Sequence, residues 1–149
     1  GKNKYYNELN SFIDKLGLTN NFRIIENQID MAAIYKLADV VISASTDPEA
    51  FGRVVAEAQA MGRPTVAVNH GGAPEIIIKD ETGWLFEPGD PIDLSNKISI
   101  ALNIDDFERK KIASKAIERT VLNFNNDTMC VKTLKIYSDL ISSNYKNEK

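Results

Sequence analysis

Only one cysteine, Cys130, and one histidine, His70, occur among the 149 residues. An internal disulfide is therefore impossible, and a structural zinc site lacks its set of soft ligands. Long apolar runs are also lacking: stretches such as Val40 to Ile42 and Ile76 to Ile78 fall far short of the roughly 20 residues that a membrane-spanning helix needs. The opening Gly-Lys-Asn-Lys does not read as a signal peptide. There is no excess of positive charge, since 18 Lys and Arg face 21 Asp and Glu for a net charge of -3. Without a cationic field, binding to a nucleic acid backbone or an anionic membrane surface is disfavoured. These absences make a reducing, cytoplasmic setting the expectation, with any peripheral membrane role residing outside this chain.

What is present is a chain that is 43% hydrophobic, enough for one core and too short for two ordinary domains. A single domain over residues 1–149 is expected, with no internal repeat or low-complexity linker. Leu9, Phe12, Ile13 and Leu16 recur at helical spacing within Tyr5 to Leu16, and Gly17 follows as a stop. Phe22 to Glu26 reads as a strand, and Asp30 precedes a helix over Met31 to Leu37 on which Met31, Ile34 and Tyr35 share a face. Val40 to Ser43 and Thr65 to Val68 are apolar strands. Between them Phe51, Val54, Val55, Ala58 and Met61 form a helical stripe closed by Gly62 and Pro64. Pro74 opens a short helix to about Lys79, and Gly83 to Phe86 is a further strand before the turn at Glu87 to Asp90. Alternating strands and helices indicate an α/β fold with a Rossmann-like parallel sheet flanked by helices.

From Asp90-Pro91, a capping pair, the remainder is helical. One helix carries Leu94, Ile98, Ala101 and Leu102. The next carries Ala113, Ala116, Ile117, Thr120, Val121 and Phe124, and a last, over Thr128 to Ile141, carries Cys130, Leu134, Tyr137 and Ile141. Cys130 sits on that apolar stripe and is expected to be buried and inert.

In such sheets ligands bind beyond the carboxyl ends of the strands, which directs attention to the loops after Ser43 and Val68. The first, Ala44 to Gly52, runs into a helix N-terminus, where backbone N–H groups and the helix dipole favour an anion. The second, Asn69 to Glu75, contains Gly71 and Gly72, which would let a ligand approach the backbone or form a tight turn. Together they are read as a phosphate-holding crevice.

The blocks Ala38-Asp39-Val40, Glu49-Ala50-Phe51-Gly52, Glu57-Ala58, Gly62-Arg63-Pro64, Gly71-Gly72-Ala73-Pro74-Glu75 and Thr82-Gly83-Trp84-Leu85 resemble the retaining, family 4 (group 1) nucleotide-sugar glycosyltransferases of the GT-B fold. Glu49 and Glu57 stand at the family's spacing of two glutamates with seven residues between them. The resemblance covers the C-terminal, donor-binding half. It implies that Glu49, as the catalytic-site carboxylate, and the backbone of Ala50, Phe51 and Gly52 face the transferred sugar and the phosphates. Glu57 would accept hydrogen bonds from the ribose hydroxyls, with Ser45, Gly71 and Gly72 also in the donor site. A carboxylate suits a ribose diol because its two oxygens accept from both hydroxyls. The family transfers a hexosyl group with retention from a nucleoside-diphosphate sugar to a glycan or lipid-linked acceptor, as in polysaccharide or lipopolysaccharide assembly. No enzyme nucleophile and no metal or other cofactor are implied.

Taken from the residues alone, Glu57 would form a solvated pair with Arg53 four residues before it, Glu49 and Glu75 would complement helix dipoles, and His70 would pack or cap. Trp84 reads as core or sheet-edge packing, and Lys110, Lys111, Lys115 and Arg119 as a solvated helix face. The resemblance further implies that the sequence begins after the second strand of the donor domain, so that the isolated chain would not catalyse transfer. Ile24 to Glu26 would then pair beside Val40 to Ser43. The last helix would cross to an acceptor domain, and its exposed stripe would promote a homodimer. Glu26-Asn27 stands where the family usually has glycine near the nucleobase. Alternatives are a sugar-nucleotide epimerase of the same architecture and a non-catalytic nucleotide-sugar-binding or interaction module. A dinucleotide dehydrogenase is disfavoured, since no Gly-x-Gly-x-x-Gly follows a strand.

Overall fold

β-branched and small residues at Val41–Ser43 (β1) and Thr65–Val68 (β2), and bulky apolar ones at Trp84–Phe86 (β3), build a three-stranded parallel sheet of order β1-β2-β3 in the computed structural model, which describes residues 2–25 and 28–147. The register pairs Val41 with Thr65 and Val66 with Trp84. Every residue of β2 is buried, as expected of a central strand covered on both faces.

The chain divides into two compact units, residues 1–31 and 32–149. The first carries α1 (Lys2–Lys15), which ends where Gly17 enters the left-handed region at φ 69° and Leu18 N–H returns to Ile13 C=O at 3.1 Å. Of its apolar stripe Ile13 is buried and Leu9 half-buried, whereas Phe12 and Leu16 are exposed. The strand expected over Phe22 to Glu26 is absent from residues 22–25, and Glu26 and Asn27 lie outside the described residues. The sheet consequently lacks the expected fourth strand beside β1 among the described residues. With Phe22 and Ile25 exposed and no ladder to satisfy their backbone, an isolated segment gains nothing from extended pairing.

The second unit holds the sheet, α2 (Met31–Leu37) from its second residue on, α3 (Arg53–Ala60), α4 (Ala73–Ile76), α5 (Pro91–Asn103), α6 (Asp106–Asn123) and α7 (Asn126–Asn147). Alternation along the strands sends Ala67 and Leu85 to one face and Val66, Val68, Trp84 and Phe86 to the other. The first face packs with Val55 and Ala56 of α3, Ala73 and Ile76 of α4, and Ile77. The second packs with Leu94, Ile98 and Ala101 of α5. Trp84 is thus a core residue, buried to 4% exposure.

Several elements differ in detail from the sequence reading. On α3 the buried residues are Val55, Ala56, Ala58 and Gln59, with Phe51 and Val54 exposed. Buried Gln59 donates through Nε2 to the Thr82 carbonyl at 3.0 Å, so an amide takes an interior place where only apolar residues were expected. The helix opened by Pro74 stops at Ile76, because Ile77 turns extended. On α6 the buried positions are Ile112, Ala116 and Thr120, while Ile117 and Val121 of the expected stripe are exposed.

The correction is larger for α7. None of its described side chains is buried, and Cys130, expected in a core, is exposed together with Leu134, Tyr137 and Ile141. Periodicity makes one face of a helix apolar but does not supply the surface that covers it. Among the described residues no helix is long and apolar enough to cross a membrane.

Asp90 caps α5 as expected, its Oδ1 accepting from Ile92 N–H and Asp93 N–H, both at 2.9 Å. Asp90→Ala should cost about 1 kcal/mol, read as a lowered midpoint of thermal unfolding with an unchanged fold.

Candidate functional site

The loops that leave β1 and β2 at their carboxyl ends meet backbone to backbone. Gly72 N–H donates to the Glu49 carbonyl at 2.9 Å. A Cβ on Gly71 would stand 2.8 Å from Glu49 N, and one on Gly72 would stand 2.7 Å from Phe51 Cα. Both glycines are therefore required because the side where a side chain would project is filled by the first loop. The structure brings the two loops together directly, where the sequence alone allows either a ligand or a turn.

That contact fixes the entry to α3. Gly52 adopts φ 86°, ψ 54° and begins the helix with no side-chain cap, its carbonyl accepting from Val55 and Ala56 N–H at 3.0 and 3.1 Å. An α-helix begun without a side-chain cap presents its first amides and the positive end of its dipole outward. Just before it, Glu49 is exposed and held by the Ser45 hydroxyl, which donates to its Oε1. Ser45, Glu49 and Gly52 share with His70 a space of about 10 Å³, enough for a single water. Ser45 and His70 also line an adjoining cleft of about 360 Å³ that extends over Phe86, Pro88 to Pro91 and Leu94.

Glu57 does not line either space. It projects from the second turn of α3 with its side chain 41% exposed, and its Oε1 lies 3.4 Å from Arg53 Nε. Its other oxygen accepts from the Tyr35 hydroxyl at 2.9 Å. The solvated pair with Arg53 thus exists, but Glu57 is also anchored to a buried group. Tyr35 was legible in the sequence only as one residue of a helix face. Burial pushes its hydroxyl from 10.0 up to about 12, reinforced by the hydrogen bond to Glu57 and its negative charge and opposed by Arg53.

Other residues differ from their expected roles. His70 makes no cap through its ring: both ring nitrogens are buried without a hydrogen-bond partner among the described residues. Arg119 is not simply part of a solvated face. Its guanidinium donates to the Glu75 and Ile76 carbonyls, both at 2.7 Å, and stands 5.8 Å from the centroid of the Phe124 ring. Phe124 in turn meets Phe51 edge to face at 5.8 Å. Lys115 likewise reaches Glu81 at 2.7 Å, holding that carboxyl below its usual range. Among the described residues no group of three His, Cys, Asp or Glu side chains could hold a metal ion.

Comparison with known proteins defines the family and the fold. Residues 1–119 match the family model of glycosyl transferases group 1. The chain belongs to that family and corresponds to the C-terminal, Rossmann-like half of its GT-B fold. It is 33% identical over 126 residues to a D-inositol 3-phosphate glycosyltransferase of Corynebacterium diphtheriae, covering 83% of this chain and 29% of the relative. A glycosyltransferase from Rickettsia africae superposes with a TM-score of 0.87 at 36% identity, over 93% of this chain and 37% of the other. Anabaena HepE, solved in complex with UDP and glucose, superposes at 0.85 with 32% identity, over 93% and 38%. The chain thus spans about a third of the length of these proteins.

Two measurements test the geometry. Gly72 has φ -77°, so Gly72→Ala is penalised by lost space alone, whereas Gly89 at φ 75° has nothing within 4 Å and Gly89→Ala meets only backbone strain. Gly72→Ala should lose about 2 kcal/mol or more in chemical denaturation, and Gly89→Ala only about 1 kcal/mol. For Tyr35 the folded value of about 12 lies above the unfolded 10.0, so ionisation favours the unfolded chain. Stability should be full below pH 10 and fall by on the order of 2 kcal/mol as pH rises to about 12; Tyr35→Phe should remove that part of the loss in denaturation curves taken across the range.

Proposed function

We propose that this chain binds the nucleoside-diphosphate part of a sugar-nucleotide donor for a retaining glycosyltransferase. The observation that carries this reading is the placement of two carboxylates about the uncapped start of α3, Glu49 held by Ser45 and Glu57 held by Tyr35. An N-terminus of this kind attracts phosphate, and the flanking carboxylates accept hydrogen bonds from hydroxyls but repel the phosphates themselves. The diphosphate therefore belongs at the Gly52 end, the transferred sugar beside Glu49 with the backbone of Ala50 and Phe51, and the ribose at Glu57. Gly71 and Gly72 support the first loop in this scheme, and Ser45 orients Glu49.

Hexosyl transfer to a glycan or lipid-linked acceptor follows from the same reading, with the acceptor entering the sugar face from which the diphosphate leaves. Support comes from relatives whose names include a colanic acid biosynthesis glycosyltransferase of Escherichia coli and from the UDP-glucose complex of Anabaena HepE. No side chain is assigned as nucleophile. The apolar residues that α7 leaves exposed are the surface through which two copies would pair, or through which an acceptor-binding region would be met.

Calorimetric titration with UDP and GDP tests the donor site. One of the two should bind, and Glu57→Ala should weaken that binding by about tenfold or more, the scale of a lost charge-assisted hydrogen bond. Absence of binding to both would instead favour a non-catalytic interaction module.

A further inference from the structure

We infer that Tyr35 is a positioning residue that sets Glu57 for recognition of a vicinal diol, an inference that rests on the ribose reading above. A carboxylate offers two lone-pair sites on each oxygen. Tyr35 occupies one on Oε2 and Arg53 approaches Oε1, so one site on each oxygen is left for a donor. Two acceptors on adjacent oxygens match the two hydroxyls of a ribose.

The two holders of Glu57 are unequal. The Arg53 side chain is 85% exposed, and an ion pair in such a setting is screened and mobile. Tyr35 is 4% exposed, its ring packed among Val41, Ala58, Ala38 and Met61, so its hydroxyl is a fixed point on the fold. A glutamate tied to that point has already lost the rotamer freedom that an exposed side chain surrenders when it binds. Tyr35 therefore acts on the diol through Glu57, without touching the nucleotide.

The test compares whichever of UDP and GDP binds in that titration, written here as UDP, with its dideoxyribose analogue, which lacks both ribose hydroxyls, on the wild-type chain and on Tyr35→Phe. The wild type should prefer UDP by about tenfold or more. Tyr35→Phe should weaken UDP binding about fivefold and leave the analogue unchanged, narrowing the preference. In a Glu57→Ala background, Tyr35→Phe should no longer alter the preference.

Equal weakening of both nucleotides, or no change, would overturn the positioning role while leaving the ribose reading intact. A wild-type chain that does not prefer its nucleotide to the dideoxy analogue, or that binds neither UDP nor GDP, would overturn the ribose reading and this inference with it. Should Tyr35→Phe fail to fold, the wild type still decides. The NMR resonance of the Tyr35 ring should move more on addition of UDP than of the analogue, and equal movement would count against the proposal.

Discussion

Everything in the candidate site depends on two turns of backbone lying against each other with no side chain between them. A single hydrogen bond from Gly72 to Glu49 records that contact, but the closeness itself is the constraint, since a methyl group at either glycine would overlap the first loop. Nine residues separate the end of β1 from the start of α3. Fastened only at its ends, a segment of that length would sample many shapes. Pressed onto the second loop, it has one, and that shape carries Glu49, the left-handed Gly52 and the direction in which α3 sets out.

The sheet beneath supplies rigidity because β2 is enclosed from both sides. Val66 and Val68 meet α5, Ala67 meets α3, and the loops therefore rise from strands whose side chains have little room to shift. Phe51, in the first loop, leans on Phe124, Phe124 lies against Arg119, and Arg119 holds the end of α4. The two loops are joined once at their tips and again through this chain of contacts around their base.

The sequence disclosed the strands β1, β2 and β3, the order of helices and the α/β class, since these follow from local periodicity and punctuation that the fold does not contradict. It also singled out the loops after Ser43 and Val68. What it could not disclose were the partners of long side chains. Arg119 looks like a surface cation on a helical wheel because the carbonyls of Glu75 and Ile76 are more than forty residues away in sequence. Tyr35 looks like one apolar position among three because nothing local marks which hydroxyl will meet Glu57. The segment Phe22 to Ile25 failed as a strand for the related reason that composition states a preference for extension, whereas a strand requires a neighbour. The stripe of α7 is apolar as its periodicity states, but Cys130 on it is open to solvent.

The grip of Arg119 on α4 has a consequence for the order in which the molecule takes shape. Four residues are too few for a helix to persist unaided, and α4 ends on carbonyls that Arg119 occupies. A ribosome delivers both loops well before it delivers residue 119, so during synthesis they remain unfastened at their base until α6 has followed and docked. The site is among the first parts of this unit to be made, yet it gains this fastening only once α6 is in place.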